Sequence, residues 1–188
     1  PLHTTDFSGG NLLGQWSPHF GTGSALVLRG YYDHTFRDVP TQFRERRHTL
    51  DLELQHRWQR GRHDLLWGAG WRGSRDEVGT TPLIAWDPSQ ETITVGNLFA
   101  QDELHLTDRW RVLLGLRVED QSTMDAQLLP ALTLAWQVSP ERLLWAGAAR
   151  AVRAPTRIDR DIRIPGAGTP IVVGNKDFQE EEVVAYEL

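Results

Sequence analysis

The sequence predicts an all-β fold, an antiparallel up-and-down transmembrane β-barrel segment, on three observations. Segment after segment alternates apolar and polar residues with period two. The connections between those segments alternate short and long. The tryptophans gather beside the short connections. A helix repeats every 3.6 residues and a strand every two, so the first observation decides the element type. The other two decide what surrounds the sheet.

The strands follow in order. After a segment ending at Trp16, residues 25–32 read A-L-V-L-R-G-Y-Y, with Leu26 and Leu28 opposite Val27, Arg29 and Tyr31. Residues 50–58 read L-D-L-E-L-Q-H-R-W and separate two faces most sharply. Leu50, Leu52, Leu54, His56 and Trp58 share one face, and Asp51, Glu53, Gln55 and Arg57 the other. In residues 65–74, Leu65, Trp67, Ala69 and Trp71 oppose Gly68, Gly70, Arg72 and Ser74. In residues 110–120, Trp110, Val112, Leu114, Leu116 and Val118 oppose Arg111, Gly115, Arg117 and Glu119. Leu128, Leu132, Leu134, Trp136 and Val138 form the apolar set of the next strand. Leu143, Trp145, Gly147, Ala149 and Ala151 are assigned to that face in the one after it. Two places fit less well. Asp102 falls on the face of Leu98, Ala100, Leu104 and Leu106, which calls for a bulge or an interfacial position. Pro130 lies inside its strand without an N–H to donate. About nine strands result, with no long helical pattern between them.

Short connections are expected at residues 17–23, 59–62, 107–109 and 139–141. Long or medium ones are expected at 33–47, 76–92, 121–126 and 153–182. Short turns at one end and long loops at the other are the pattern of outer-membrane barrels. Trp16, Trp58, Trp110, Trp136 and Trp145 lie next to short connections, so up-and-down topology brings them to one end. There an amphipathic ring is favoured at the boundary between hydrocarbon and water. The leucines of residues 50–54 then face lipid, while Asp51, Glu53, Gln55, Arg57, Arg117 and Glu119 face a wet lumen. The other reading is a soluble β protein with tryptophans in its core.

Composition narrows the function. The chain has 188 residues, a formal charge of −5 and no cysteine, which excludes disulfides, thiolate metal sites and a cysteine nucleophile. Arginine supplies nearly all the positive charge, since Lys176 is the sole lysine, and no basic stripe marks a nucleic-acid partner. No apolar run is long enough for a transmembrane helix. There is no initiator Met at Pro1 and no signal-peptide pattern, so either processing or an internal position in a longer protein is expected. No G-x-S-x-G, H-E-x-x-H or P-loop occurs, and His63 and Asp64 alternate onto opposite strand faces, so no enzyme is expected.

Several stretches resemble TonB-dependent outer-membrane receptors. N-L-F-A-Q-D-E-L at residues 97–104 is similar to that family's F-x-Q-D-E strand. L-L-W-G-A-G-W-R at 65–72 is similar to the strand before it. L-W-A-G-A-A-R-A-V-R-A-P-T-R-I-D-R-D at 144–161 resembles the strand and loop entry S-R-A-V-R-x-P. G-N-K-D-F-Q-E-E-E-V-V-A-Y-E-L at 174–188 resembles G-N-P-x-L-x-x-E. The resemblance covers most of the chain from His48 onward. It implies a piece of a barrel of about 22 strands, plugged by an N-terminal domain. Residues 1–188 are then one partial barrel domain, expected to be truncated at both ends, with neither plug nor TonB box. It further implies uptake of a scarce solute, such as a ferric siderophore or another metal chelate, across a Gram-negative outer membrane. Implied partners are outer-membrane lipid and lipopolysaccharide, the receptor's own plug, the TonB complex and a small-molecule chelate. No cofactor and no bound metal are expected. A passive porin and a soluble all-β binding domain are the alternative functions.

The richest candidate for substrate contact is the external loop carrying Arg153, Arg157, Asp159, Arg160, Asp161 and Arg163. Guanidinium groups suit carboxylates and anionic chelates. The same residues also suit an Arg/Asp network that braces loops, or pairing with lipopolysaccharide phosphates. Arg44, Arg46, Arg47 and His48 read as a solvated or headgroup-facing surface.

Overall fold

The computed structural model describes residues 4–21 and 23–188; the reading made of Pro1 lies outside them. Nine strands build one antiparallel sheet: β1 (Asp6–Trp16), β2 (Ser24–Val39), β3 (Phe43–Arg60), β4 (His63–Gly79), β6 (Gln90–His105), β7 (Trp110–Gln121), β8 (Met124–Ser139), β9 (Arg142–Arg153) and β12 (Glu181–Glu187). Each pairs with the next in that order, from β1 at one edge to β12 at the other. Three short strands, β5 (Ala85–Trp86), β10 (Ile162–Ile164) and β11 (Val172–Val173), form a second sheet beside a one-turn helix, α1 (Arg157–Asp161).

The sheet has no core of its own. Val78 is the one buried hydrophobic residue among those described, while Leu52, Leu98, Leu116 and Leu132 stand exposed. A soluble sandwich of this size would bury such leucines between two layers. A single curved layer with a continuous apolar face is the wall of a barrel set in lipid.

Strands β2, β3 and β4 run 16, 18 and 17 residues, longer than the alternation predicts. The connection expected over 33–47 therefore shrinks to residues 40–42, where Thr41 takes a left-handed φ of 68°. The one expected over 121–126 shrinks to residues 122–123. Alternation in hydropathy marks the part of a strand with one dry face. Beyond it both faces are polar and the pattern fades, but the hydrogen-bond ladder continues. The two remaining long connections, β4 to β6 and β9 to β12, carry β5, α1, β10 and β11.

Register settles the two irregular strands. Pairing runs without a shift through Asp102, opposite Leu65 on one side and Leu114 on the other, so no bulge turns it away. It stays on the apolar face near the turn end, and its Oδ2 lies 2.6 Å from His63 Nδ1. At Pro130 the β8–β9 ladder stops, since their pairing begins only at Ala131. Arg150 fills the opening. Its guanidinium donates to the Leu128 carbonyl at 2.6 Å, and to Gln127 Oε1 and Glu182 Oε2 at 2.9 Å each. A side-chain donor thus replaces the backbone partner that the Leu128 carbonyl lacks.

Trp16, Trp58, Trp110 and Trp136 share the apolar face at the end with the short turns. The Trp110 and Trp136 rings stack with centroids 5.2 Å apart. Trp145 does not join them. It pairs with Ala135, while Leu144 pairs with Trp136, which places Trp145 on the opposite face. The apolar set of β9 is therefore Leu144, Ala146 and Ala148 rather than Leu143, Trp145 and Gly147. Both faces of β9 are small or apolar, so period two offered no contrast by which to choose.

Candidate functional site: a charged face and its cap

The face opposite Trp16, Trp58, Trp110 and Trp136 is charged, and register explains its composition. Glu53 stands across from Arg29 and Asp51 across from Arg72, pairs that cross-strand geometry brings within reach. Arg29 Nε donates to Glu53 at 3.0 Å and Arg72 Nε to Asp51 at 2.8 Å. Arg117 Nε donates along its own strand to Glu119 at 3.0 Å. Gln55 joins through Glu53, and Arg57 Nε donates to Asp64 at 2.7 Å. Asp51, Glu53, Gln55, Arg57, Arg117 and Glu119, predicted as one set, do share one face. Arg29, Tyr31, Arg72, Asn97 and Arg117 help to line a hollow of about 630 Å³ on it.

At the loop end this face is covered. Helix α1 begins with a reciprocal cap: the Asp159 amide donates to Thr156 Oγ1 at 3.3 Å, and the Thr156 amide to Asp159 Oδ2 at 2.8 Å. The next residue, Arg157, is buried at 8% exposure and acts as the hub of the cap. Its guanidinium donates to Asp76 of β4 and to the Pro88 carbonyl. Its Nε lies 3.0 Å from Asp161 and 3.1 Å from Glu91 of β6. It also stands over the Trp86 ring, 5.3 Å from the centroid. Strand β10 pairs with β5 and β11 beside it, which ties the two long connections together. Arg153 extends the network, 3.1 Å from Asp159 and 2.9 Å from Glu181. Between cap and sheet lies a cavity of about 510 Å³, lined by Phe43, Arg47, Trp86, Ile93, Gln121 and Arg157 among others.

The six predicted loop residues therefore divide. Arg157 and Asp161 are buried and committed to protein partners, so the bracing alternative describes them. Asp159 caps the helix and Arg153 bridges α1 to β12. Arg160 has a buried Nε with no partner among the described residues. Arg163 is exposed and has no ion pair among them. Sequence reading missed Asp76, Glu91 and Trp86. Asp76 is 81 residues from Arg157, and nothing local to either residue announces the pair.

One carboxyl of the cap has a shifted titration. The Thr156 amide and hydroxyl, then Arg153, hold Asp159 below the usual carboxylate range. A depressed carboxylate stabilises above its ordinary value and loses that contribution as pH falls through its folded value; a raised one does the reverse. The cap should therefore loosen as pH falls below about 4, measured by hydrogen exchange in residues 156–161, and Asp159→Asn should flatten that loss.

An open up-and-down sheet with one apolar face and one charged, capped face defines a membrane barrel wall. Residues 3–188 match the family model described as TonB dependent receptor-like, beta-barrel, and the chain belongs to that family. The family is one of Gram-negative outer-membrane transport receptors rather than enzymes. The probable TonB-dependent siderophore receptor PirA of Acinetobacter baumannii is 27% identical across 56% of this chain and 16% of its own length. The crystal structure of PirA from Pseudomonas aeruginosa superposes with a TM-score of 0.70 at 18% identity, covering 97% of this chain and 35% of that one. A variant of the ferric enterobactin receptor from Pseudomonas aeruginosa, in complex with enterobactin, superposes at 0.75 with 17% identity, covering 97% and 32%. The chain thus spans about a third of each solved receptor and less of the sequence relative. At these identities the solved structures establish the fold alone.

Proposed function

We propose that this chain is part of the barrel wall of an active outer-membrane transporter for a metal chelate such as a ferric siderophore. The observation that carries the reading is the family match over residues 3–188, joined to a charged face closed by an ordered cap. In this reading the charged face, with Asp51, Glu53, Gln55, Arg57, Arg117 and Glu119, lines the lumen and meets the receptor's plug. The apolar face meets lipid, with Trp16, Trp58, Trp110 and Trp136 at the periplasmic boundary. The short turns face the periplasm and the cap faces outside. The cavity beneath the cap joins an indole with aromatic and aliphatic side chains, and its two arginines are already paired, Arg47 with Glu45 and Arg157 with Asp76, so its free lining suits the apolar part of a chelate. Arg163, exposed and without an ion pair among the described residues, is the cap arginine open to a ligand, while Arg157 holds the wall in shape. TonB supplies the energy through the plug.

The test is uptake of radio-iron chelates by cells carrying or lacking the whole receptor. Receptor-dependent uptake of at least one chelate, abolished when the proton gradient is collapsed, is the expected result. Uptake that survives the collapse would instead make the protein a passive porin.

A further inference from the structure

Above the apolar band, the outward face of β2, β3 and β4 changes character. Register places His34, His48 and Arg75 side by side in one row across the three strands, with Phe36, Arg46 and Glu77 in the row beyond. Tyr32 and Leu50 form the row below, where the apolar band ends. The His34 and His48 rings stack at 4.4 Å, and Tyr32 Oη lies 2.8 Å from His48 Nδ1. Arg46 stands over the Phe36 ring at 6.0 Å. Arg46, His48, Arg75, Asp76 and Glu77 surround a shallow hollow of about 380 Å³, and the Asp76 carboxylate is turned to the other face, where Arg157 holds it. Its one facing carboxylate, Glu77, is 3.8 Å from Arg46, and Arg75 has no ion pair among the described residues. The next pair outward, Arg44 with Asp38, neutralises itself. Two exposed arginines therefore face the hollow against a single loosely held acid.

Position says what meets them. From Trp58, at the turn-end boundary, to His48 is about ten residues along β3, and a strand crosses the hydrocarbon layer in about 9–11 residues at a tilt near 45°. With Trp58 at one headgroup level, the row of His34, His48 and Arg75 stands at the other, on the side of the cap. Tyr32 sits between them and the apolar band, where an amphipathic ring is favoured. Arginine there is matched by phosphate oxygens, and hydrogen-bonded imidazole and phenol groups add directional contacts.

We propose that Arg46, Arg75 and His48, supported by His34 and Tyr32, bind a phosphate on the headgroup of an outer-leaflet lipid. The site rests on the reading of the apolar face as the lipid-facing one. It is distinct from the cap and from the charged face.

The test titrates the whole receptor, folded in detergent, with bis-phosphorylated lipid A and with lipid A stripped of phosphate. The phosphorylated form should bind about tenfold more tightly or better, since each basic group near a headgroup phosphate adds a comparable increment. The triple variant Arg46→Ala/His48→Ala/Arg75→Ala should lose that preference. Glu77→Gln should strengthen it, and Arg109→Ala at the turn end should leave it unchanged. A triple variant that keeps the preference overturns the proposal. So does displacement of lipid A by millimolar inorganic phosphate, which would mark a site for the free anion. Failure of the underlying face assignment would show separately, as equal tolerance of Leu52→Arg and Gln55→Arg in membrane insertion.

Discussion

Arg157→Ala should open the cap while leaving the large sheet folded. The substitution leaves Asp76 and Asp161 buried without their shared cation, beside Glu91, which loses the same partner. Removing one partner from a buried ionic cluster costs about 3–5 kcal/mol, because the remaining charges have neither water nor counter-ion. The loss falls on the contacts that tie β5, α1 and β10 to β4 and β6. Hydrogen exchange in residues 85–86 and 157–164 should approach loop-like rates, whereas β3 and β7 should keep their protection. Arg157→Lys should rescue only part of the effect. An ammonium reaches one or two acceptors, and this guanidinium serves Asp76, Glu91, Asp161 and the Pro88 carbonyl while stacking on Trp86. Unchanged exchange in Arg157→Ala would show that the short strands hold the cap without it.

Leu52→Arg should impair insertion, and Gln55→Arg should not. Both positions lie in the middle of β3, three residues apart and on opposite faces. A charge on the lipid side at the bilayer midplane costs about 2–4 kcal/mol, while the lumen side stays wet. Gln55 already neighbours Glu53, so an arginine there gains a partner. Heat-modifiable gel mobility of the whole receptor, refolded into vesicles across a urea series, measures the difference. Equal behaviour of the two variants would contradict the face assignment.

The fold was legible wherever one face is dry and the other wet. Residues 50–58 declare both faces in nine letters, and the structure pairs them as that alternation requires. In β9 the contrast vanishes among alanines and glycines, and alternation alone puts Trp145 on the wrong face. The ends of β2 and β3 look like loop in the sequence because His34, Arg37, Arg44 and Arg47 show no apolar partner, although the ladder runs through them. Asp102 looked like a register error from its charge alone; its answer is His63, which lies 39 residues away. The charged face was legible for the same reason as β3. The cap was not. The sequence placed arginines and aspartates near one another, yet whether such a group braces or binds depends on burial. Burial of Arg157 depends on Asp76 and Glu91, which the topology brings in from other strands.

The central claim is that the two faces of this sheet meet different solvents. Single cysteines can be placed at positions 50–55 of the whole receptor, with any cysteine outside this stretch replaced, and spin-labelled in vesicles; these 188 residues contain none. Labels at Leu50, Leu52 and Leu54 should collide with dissolved oxygen and be shielded from a water-soluble nickel chelate, and labels at Asp51, Glu53 and Gln55 should show the reverse. The same accessibility at all six positions, or the inverse alternation, would contradict the account.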